Sequence, residues 1–213
     1  MDNVFDDCKS AAVIVAHPDD ETLWCGGVIL INPKIDWTIL TLCRKSDPDR
    51  VPKFFKAAGR YNAAGIMADL DDGPEQSPLA GAEIQRTILE NLPRKDFDLI
   101  LTHSPKGEYT RHLRHEEISE AVFSLWQDGK LKAEKLLMFA YEDGGGEYSP
   151  RPVKNADITI SLAKNVLKIK RDIIITTYGF SSDSFEVKAI NSKESFWAIL
   201  AIDDIVKIGM ERL

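Results

Sequence analysis

The stretch AAVIVAHPDDETLWCGGVILI, residues 11 to 31, decides how the chain folds. Ala11 to Ala16 is a short unbroken apolar run, the pattern of a strand buried on both faces of a parallel sheet. Pro18 sets a turn, and Asp19 opens a helix that passes through Gly26 and Gly27 to about Ile31. Outward from this strand and helix the alternation repeats. Strands are expected at Trp37 to Leu42, Ile66 to Leu70, Leu99 to Thr102 and Lys135 to Tyr141. Helical patterns at Lys53 to Ala64, Ala82 to Asn91 and His112 to Trp126 separate them, with an irregular loop from Ser104 to Arg111. That order is the signature of an α/β fold, a mostly parallel sheet flanked by helices.

A chain of 213 residues fits one domain with a full hydrophobic core. The core is expected at about residues 10 to 142 and a small C-terminal elaboration at about 153 to 213. Between them Glu142 to Pro152 (EDGGGEYSPRP) is rich in Gly and Pro and reads as a mobile loop or boundary. Ile158 to Tyr178 begins like a strand and continues as a helix, although the β-branched IIITTY resists that reading. Lys164 to Arg171 reads as a solvated helical face, and Trp24, Trp37, Trp126 and Trp197 as core. A formal charge of −7 without a Lys/Arg block argues against nucleic acid or an anionic membrane as partner and favours a small neutral or cationic substrate. Cys8, Cys25 and Cys43 make an odd count without CxxC spacing, as a reducing compartment permits. With no signal-peptide pattern at Met1 to Asp7 and no membrane-length apolar run, a cytoplasmic protein is expected.

All four histidines, His17, His103, His112 and His115, fall at the end of an expected strand or in the segment after one. In an open α/β sheet that is where ligands bind. Helix capping accounts for one or two of the acids Asp19, Asp20 and Glu21, but not for a histidine three residues before a carboxylate with a second carboxylate adjacent. His112 and His115 share one helical face. One carboxylate and two imidazoles from this set make a three-ligand site with a position open for water, as in catalytic zinc sites, and the same donors suit iron(II). Gly26 and Gly27 lack the pattern of a phosphate loop and read as close helix packing.

Ala16-His17-Pro18-Asp19-Asp20-Glu21 resembles the AHPDDE signature of the LmbE-like, or PIG-L, deacetylases, which remove acetyl groups from N-acetylglucosamine conjugates. His112-Leu113-Arg114-His115 is similar to the family's second histidine motif, Glu108-Tyr109 to the loop before it, and Leu70-Asp71-Asp72-Gly73 to its Asp-Gly turn. The resemblance covers about residues 10 to 125 and implies a Rossmann-like domain with one zinc per chain. It implies further that His17, Asp20 and His115 bind the metal, Asp19 is the general base and His112 assists the oxyanion. Asp72, Lys53 and Tyr109 would contact an N-acetyl sugar or sugar conjugate, and Glu21 and His103 would support the ligands from behind. Relatives assemble, so a homo-oligomer is admitted.

Two positions depart from the pattern. Arg114 stands where the family has Asp or Asn; it either depresses the pKa of His112, with Glu116 as the compensating acid, or points to solvent. Lys53 and Lys56 occupy what read as the family's Arg and Glu positions, and a lysine lacks the arginine fork. Two other functions stay open: a metal-dependent amidohydrolase on a non-sugar N-acyl substrate, and a sugar-binding protein that keeps the metal site without catalysis.

Overall fold

The computed structural model describes residues 4–199. Its first half alternates β1 (Ser10–Val15), α1 (Asp20–Ile31), β2 (Asp36–Cys43), α2 (Arg50–Tyr61), β3 (Ala64–Leu70), α3 (Gly81–Asn91), β4 (Asp96–Thr102), α4 (Leu113–Gln127) and β5 (Lys132–Phe139). A two-stranded ribbon, β6 (Tyr141–Glu142) with β7 (Arg151–Pro152), follows. Then come β8 (Ile158–Ser161), α5 (Lys164–Asp172) running into a π-helical turn at Ile173–Thr177, α6 (Phe185–Lys188) and β9 (Lys193–Ile199).

The main sheet has the order β3-β2-β1-β4-β5-β9-β8, with β1 to β5 parallel and β8 and β9 antiparallel. The expected α/β class is therefore observed. Of the region expected as a C-terminal elaboration, residues 200–213 lie outside the described residues; within 153–199, β9 pairs with β5 and extends the same sheet. All six residues of β1 are buried, and the pleat sends them to opposite faces. Ala11, Val13 and Val15 pack with Trp24, Val28 and Ile29 of α1, whereas Ala12 and Ile14 pack with Ile84, Ile118 and Val122 of α3 and α4. The chain leaves β1 for β2 on one side, while β4 lies on the other. That reversal opens a crevice at the carboxyl ends of β1 and β4.

Helix α2 begins at Arg50, one turn before the expected Lys53. Asp47 Oδ1 accepts the backbone N–H groups of Asp49 and Arg50 at 2.9 and 3.1 Å, and Pro52 sits within the first turn, where its missing N–H costs nothing. The Gly-rich segment is tied down by Asp143, whose carboxylate accepts the Thr110 N–H and hydroxyl, each at 2.7 Å. IIITTY does not form a strand; it widens the end of α5 into the π turn. Among the described residues no helix is long and apolar enough to cross a membrane.

Lys164 to Arg171 is not wholly solvated. Lys170 is fully buried, donating to Leu23 O at 2.8 Å and to the equally buried Glu194 Oε1 at 2.5 Å. Glu194 also accepts the N–H groups of Gly27 and Val28 at 2.8 and 2.7 Å. A Cβ on Gly27 would lie 2.5 Å from Leu162 and 3.0 Å from Glu194, so glycine permits this approach. Sequence periodicity marks Lys170 as polar but cannot show that a carboxylate 24 residues later meets it inside the protein. Removing one partner of a buried pair strands the other charge. Lys170→Met is expected to lower the unfolding free energy by about 3 kcal/mol in urea denaturation; a loss below about 1 kcal/mol would contradict this role.

Candidate metal centre

His17 leaves β1 at its carboxyl end, and Asp19, at the N-cap position of α1, follows with φ 123° and ψ −28°. That conformation is strained for a residue with a side chain and is held from both sides. The Asp19 N–H donates to Glu21 Oε2 at 3.0 Å, and the Asp19 carbonyl accepts from Thr22 and Leu23, each at 2.9 Å. Glu21 Oε1 is fixed in turn by Thr22 Oγ1 at 2.6 Å and the Tyr178 hydroxyl at 2.7 Å. Glu21 thus holds the backbone of Asp19 from behind the cavity. The Asp19 side chain makes no capping bond, so capping does not explain it. It pairs instead with Arg50 Nη1 at 3.1 Å.

Three acceptor atoms converge beside it. His17 Nδ1 lies 3.3 Å from Asp20 Oδ2, His115 Nε2 lies 3.4 Å from the same oxygen, and the two ring nitrogens are 3.3 Å apart. Tetrahedral zinc with bonds of about 2.0–2.1 Å separates its ligands by about 3.3–3.4 Å. His115 Nδ1 lies 2.7 Å from Glu108 Oε2, an ionised acceptor, so its proton sits on Nδ1 and Nε2 presents a lone pair to the centre. His17 Nε2 faces Asp72 Oδ1 at 3.2 Å, off the line of a full hydrogen bond, which leaves Nδ1 facing inward. Asp20 is oriented by the Trp24 indole N–H at 3.0 Å and the His17 N–H at 2.8 Å. Burial alone would raise its pKa, yet the imidazoles around it, His115 first and then His103 and His17, hold it well below the usual range. Three lone pairs this close repel unless a cation sits among them, so the residues fit a metal ion. The donor set, one carboxylate and two imidazoles, is that of catalytic zinc, and iron(II) is also suited.

Other groupings are less apt. His103 Nε2 lies 3.6 Å from Asp20 Oδ2 but accepts the Ala16 N–H at 3.0 Å, so its lone pair is engaged. Its Nδ1 lies 2.9 Å from Glu108 Oε2. Against the cost of burial, Glu108 and Asp20 favour a second ring proton, to a pKa of about 9, but that proton would displace the Ala16 bond, so His103 is neutral in this arrangement. It stacks on His115 with ring centroids 3.8 Å apart and supports the ligand from behind. Glu108 is the residue that sequence reasoning missed. Despite burial, the imidazoles of His103 and His115 hold its pKa down at about 2, and one carboxylate orients both rings. Its sole sequence signal was its place in the loop between two histidines.

A cavity of about 300 Å³ opens over these atoms, lined by Asp19, Arg44, Arg50, Asp72, Tyr109 and His112 among others. Lys53 is not in its lining; its Nζ binds Asp49 at 2.7 Å, and Arg50, one turn earlier, takes the place facing Asp19. Asp72 lines the cavity but is already engaged, with Oδ1 toward His17 and Oδ2 accepting Arg44 Nη2 at 2.6 Å. Tyr109 packs edge-on against His115, with centroids 5.5 Å apart. His112 stacks on His115 at 4.5 Å, and its Nδ1 has no hydrogen-bond partner among the described residues. Burial, then its neighbours His115 and His17, lower the His112 pKa to about 4, so at neutral pH it is an uncharged donor and not an imidazolium. Arg114 is not among the main causes of that shift. It is buried, donating to Asp71 O at 2.7 Å and Ser77 O at 2.8 Å and pairing with Glu117, while Glu116 pairs with Arg111 at 2.9 Å.

The fold is that of several solved α/β proteins. The chain matches the N,N'-diacetylchitobiose deacetylase of Pyrococcus horikoshii at a TM-score of 0.71 and 12% identity over 93% of this chain and 86% of that one. It matches GalB, the 4-carboxy-2-hydroxymuconate hydratase of Pseudomonas putida, at 0.63 and 16% over 96% and 99%. A deacetylase triple mutant from the teicoplanin biosynthetic pathway matches at 0.62 and 11% over 92% and 100%. No family model and no curated protein sequence matches the chain.

If Glu108 sets the proton positions of His115 and His103, Glu108→Gln should weaken zinc binding about 10- to 100-fold, measured by competition with a chromogenic chelator, while circular dichroism stays native. Unchanged affinity would remove Glu108 from the centre.

Proposed function

We propose that the chain is a zinc-dependent hydrolase that removes the acetyl group from an N-acetylated amino sugar or N-acetylglucosamine conjugate. The observation that carries this is the triangle of His17 Nδ1, Asp20 Oδ2 and His115 Nε2, with edges of 3.3–3.4 Å and a second carboxylate, Asp19, at the same cavity. A metal held for structure alone would have no use for that second acid. Two of the fold's relatives, by name a chitobiose deacetylase and a deacetylase of teicoplanin biosynthesis, support the acetamide reading. A cavity of about 300 Å³ suits a sugar-sized ligand.

Zinc at the triangle would supply a Lewis acid that polarises the amide carbonyl and acidifies water. Asp19 is the base that takes the water proton and returns it to the departing amine. Burial, then the charge of Asp20, push its carboxyl well above the ordinary range, with Arg50 and His17 opposing, which favours its holding the proton between the two transfers. His112, uncharged, donates a hydrogen bond to the carbonyl oxygen as negative charge develops there. A nearby dication would disfavour the imidazolium further, so the donor role does not depend on its protonation. Asp72 orients His17, which leaves Arg44, Arg50 and Asp47 as the polar groups toward sugar hydroxyls, with Tyr109 as an aromatic wall. The three free cysteines suit the reducing conditions of the cytoplasm.

Acetate release from a panel of N-acetylglucosaminides, set beside N-acetyl amino acids and peptides, tests the proposal. Turnover of the sugars supports it, turnover confined to the amino acids or peptides favours the non-sugar amidohydrolase, and sugar binding without turnover favours a binding protein. Asp19→Asn is expected to lower kcat about 10²- to 10⁴-fold with zinc content unchanged, measured by metal analysis beside the assay; retained turnover would remove the base. Since Arg50 lowers the pKa of Asp19, Arg50→Gln raises it, and a base is lost as pH falls through its pKa. The acid limb of kcat/KM should therefore move to higher pH, and an unmoved limb would separate Arg50 from Asp19.

A further inference from the structure

We infer that the C-terminal third supplies a subsite for a positively charged amine, so that the preferred substrate is an N-acetyl amino sugar joined to a second unit bearing a free primary amine. The inference rests on the proposed function for the reaction and adds the class of aglycone.

Charge pairing at the cavity leaves one acid unmatched. Arg44 is engaged by Asp72 at 2.6 Å and Arg50 by Asp19 at 3.1 Å. Asp47 accepts two N–H groups at the start of α2, and Asp20 faces the imidazoles. Glu186 lines the same cavity, half-buried, and its carboxylate has no hydrogen-bond or ion-pair partner among the described residues. Its neighbour Phe185 also lines the cavity, with 42% of its surface exposed and its ring centroid 4.9 Å from that of Tyr109. The cavity thus presents an open aromatic face and, next to it in the chain, a carboxylate with no cation against it.

The local structure holds these groups in place. Ser184 Oγ accepts the Val187 N–H at 3.3 Å and caps α6, and the buried Val187 and Ala189 anchor the turn against the body of the protein. Phe185 and Glu186 are thus presented by a braced element. A carboxylate beside two aromatic rings is a chemistry for an ammonium group, through one charge-assisted hydrogen bond and cation–π contact. A neutral hydroxyl would gain less from an unmatched charge, and an anion would be repelled. The overall charge of −7 points the same way.

The test separates this subsite from the reaction. Binding of the zinc-loaded protein to the β-1,4-linked disaccharide of glucosamine is measured by calorimetry at pH 6 beside cellobiose, which has the same frame without amines. Neither probe carries an acetamide. The wild type is expected to bind the diamine about tenfold more tightly, and Glu186→Gln to remove most of that preference while Glu186→Asp keeps part of it. Equal binding of the two probes, or a preference that survives in Glu186→Gln, would overturn the subsite. Acetate release from N-acetylglucosaminides is followed in parallel, so that failure of the deacetylase reading shows there and not in the binding arm.

Discussion

Three lone pairs pointed at one another are unstable alone, and the arrangement around His17, Asp20 and His115 is built so that each atom has nowhere else to turn. Glu108 fixes the outer nitrogen of His115, Asp72 faces the outer nitrogen of His17, and the Trp24 indole holds the free oxygen of Asp20. A proton could relieve the repulsion between one pair of these atoms, but a dication relieves all three contacts at once. The strain at Asp19 belongs to the same design. Its backbone, at φ 123°, is held by Glu21, which brings a second carboxylate to the cavity on the residue before the ligand.

The parallel half of the sheet brings these residues to one end, and the C-terminal third secures them. Tyr141 donates to Trp24 O at 3.1 Å, Tyr178 to Glu21, Lys170 to Leu23 O, and Glu194 accepts from Gly27 and Val28. Every one of these contacts falls on α1, the helix that carries Asp20. Residues that look like an addition in the linear sequence thus brace the helix on which the centre depends, and α6 completes the wall of the cavity.

The strand and helix of residues 11 to 31 were legible because a strand buried on both faces leaves a short unbroken apolar run, closed here by Pro18 before the acidic start of the helix. His17, Asp20 and His115 were legible through motif spacing. The residues that escaped did so for identifiable reasons. Arg50 was hidden because the helix was expected to begin at Lys53, one turn late, which left Arg50 outside it. Glu108 and the Lys170–Glu194 pair depend on contacts between distant segments, for which periodicity holds no information. Arg114 looked like a perturbation of His112, yet its side chain turns to the loop after β3, and burial beside two imidazoles lowers the His112 pKa instead.

Among proteins of this fold, one is named as a hydratase and others as deacetylases, so the scaffold alone does not select the reaction. The selection lies in the centre, and the proposed reaction first requires a metal bound by His17, Asp20 and His115. Titration of metal-free protein with cobalt(II), followed by visible absorption, tests that requirement most directly. The account expects saturation at one equivalent, with the intense bands of low-coordinate nitrogen and oxygen ligation that vanish in Asp20→Ala. Absence of binding, or a spectrum that persists unchanged in that variant, would contradict it.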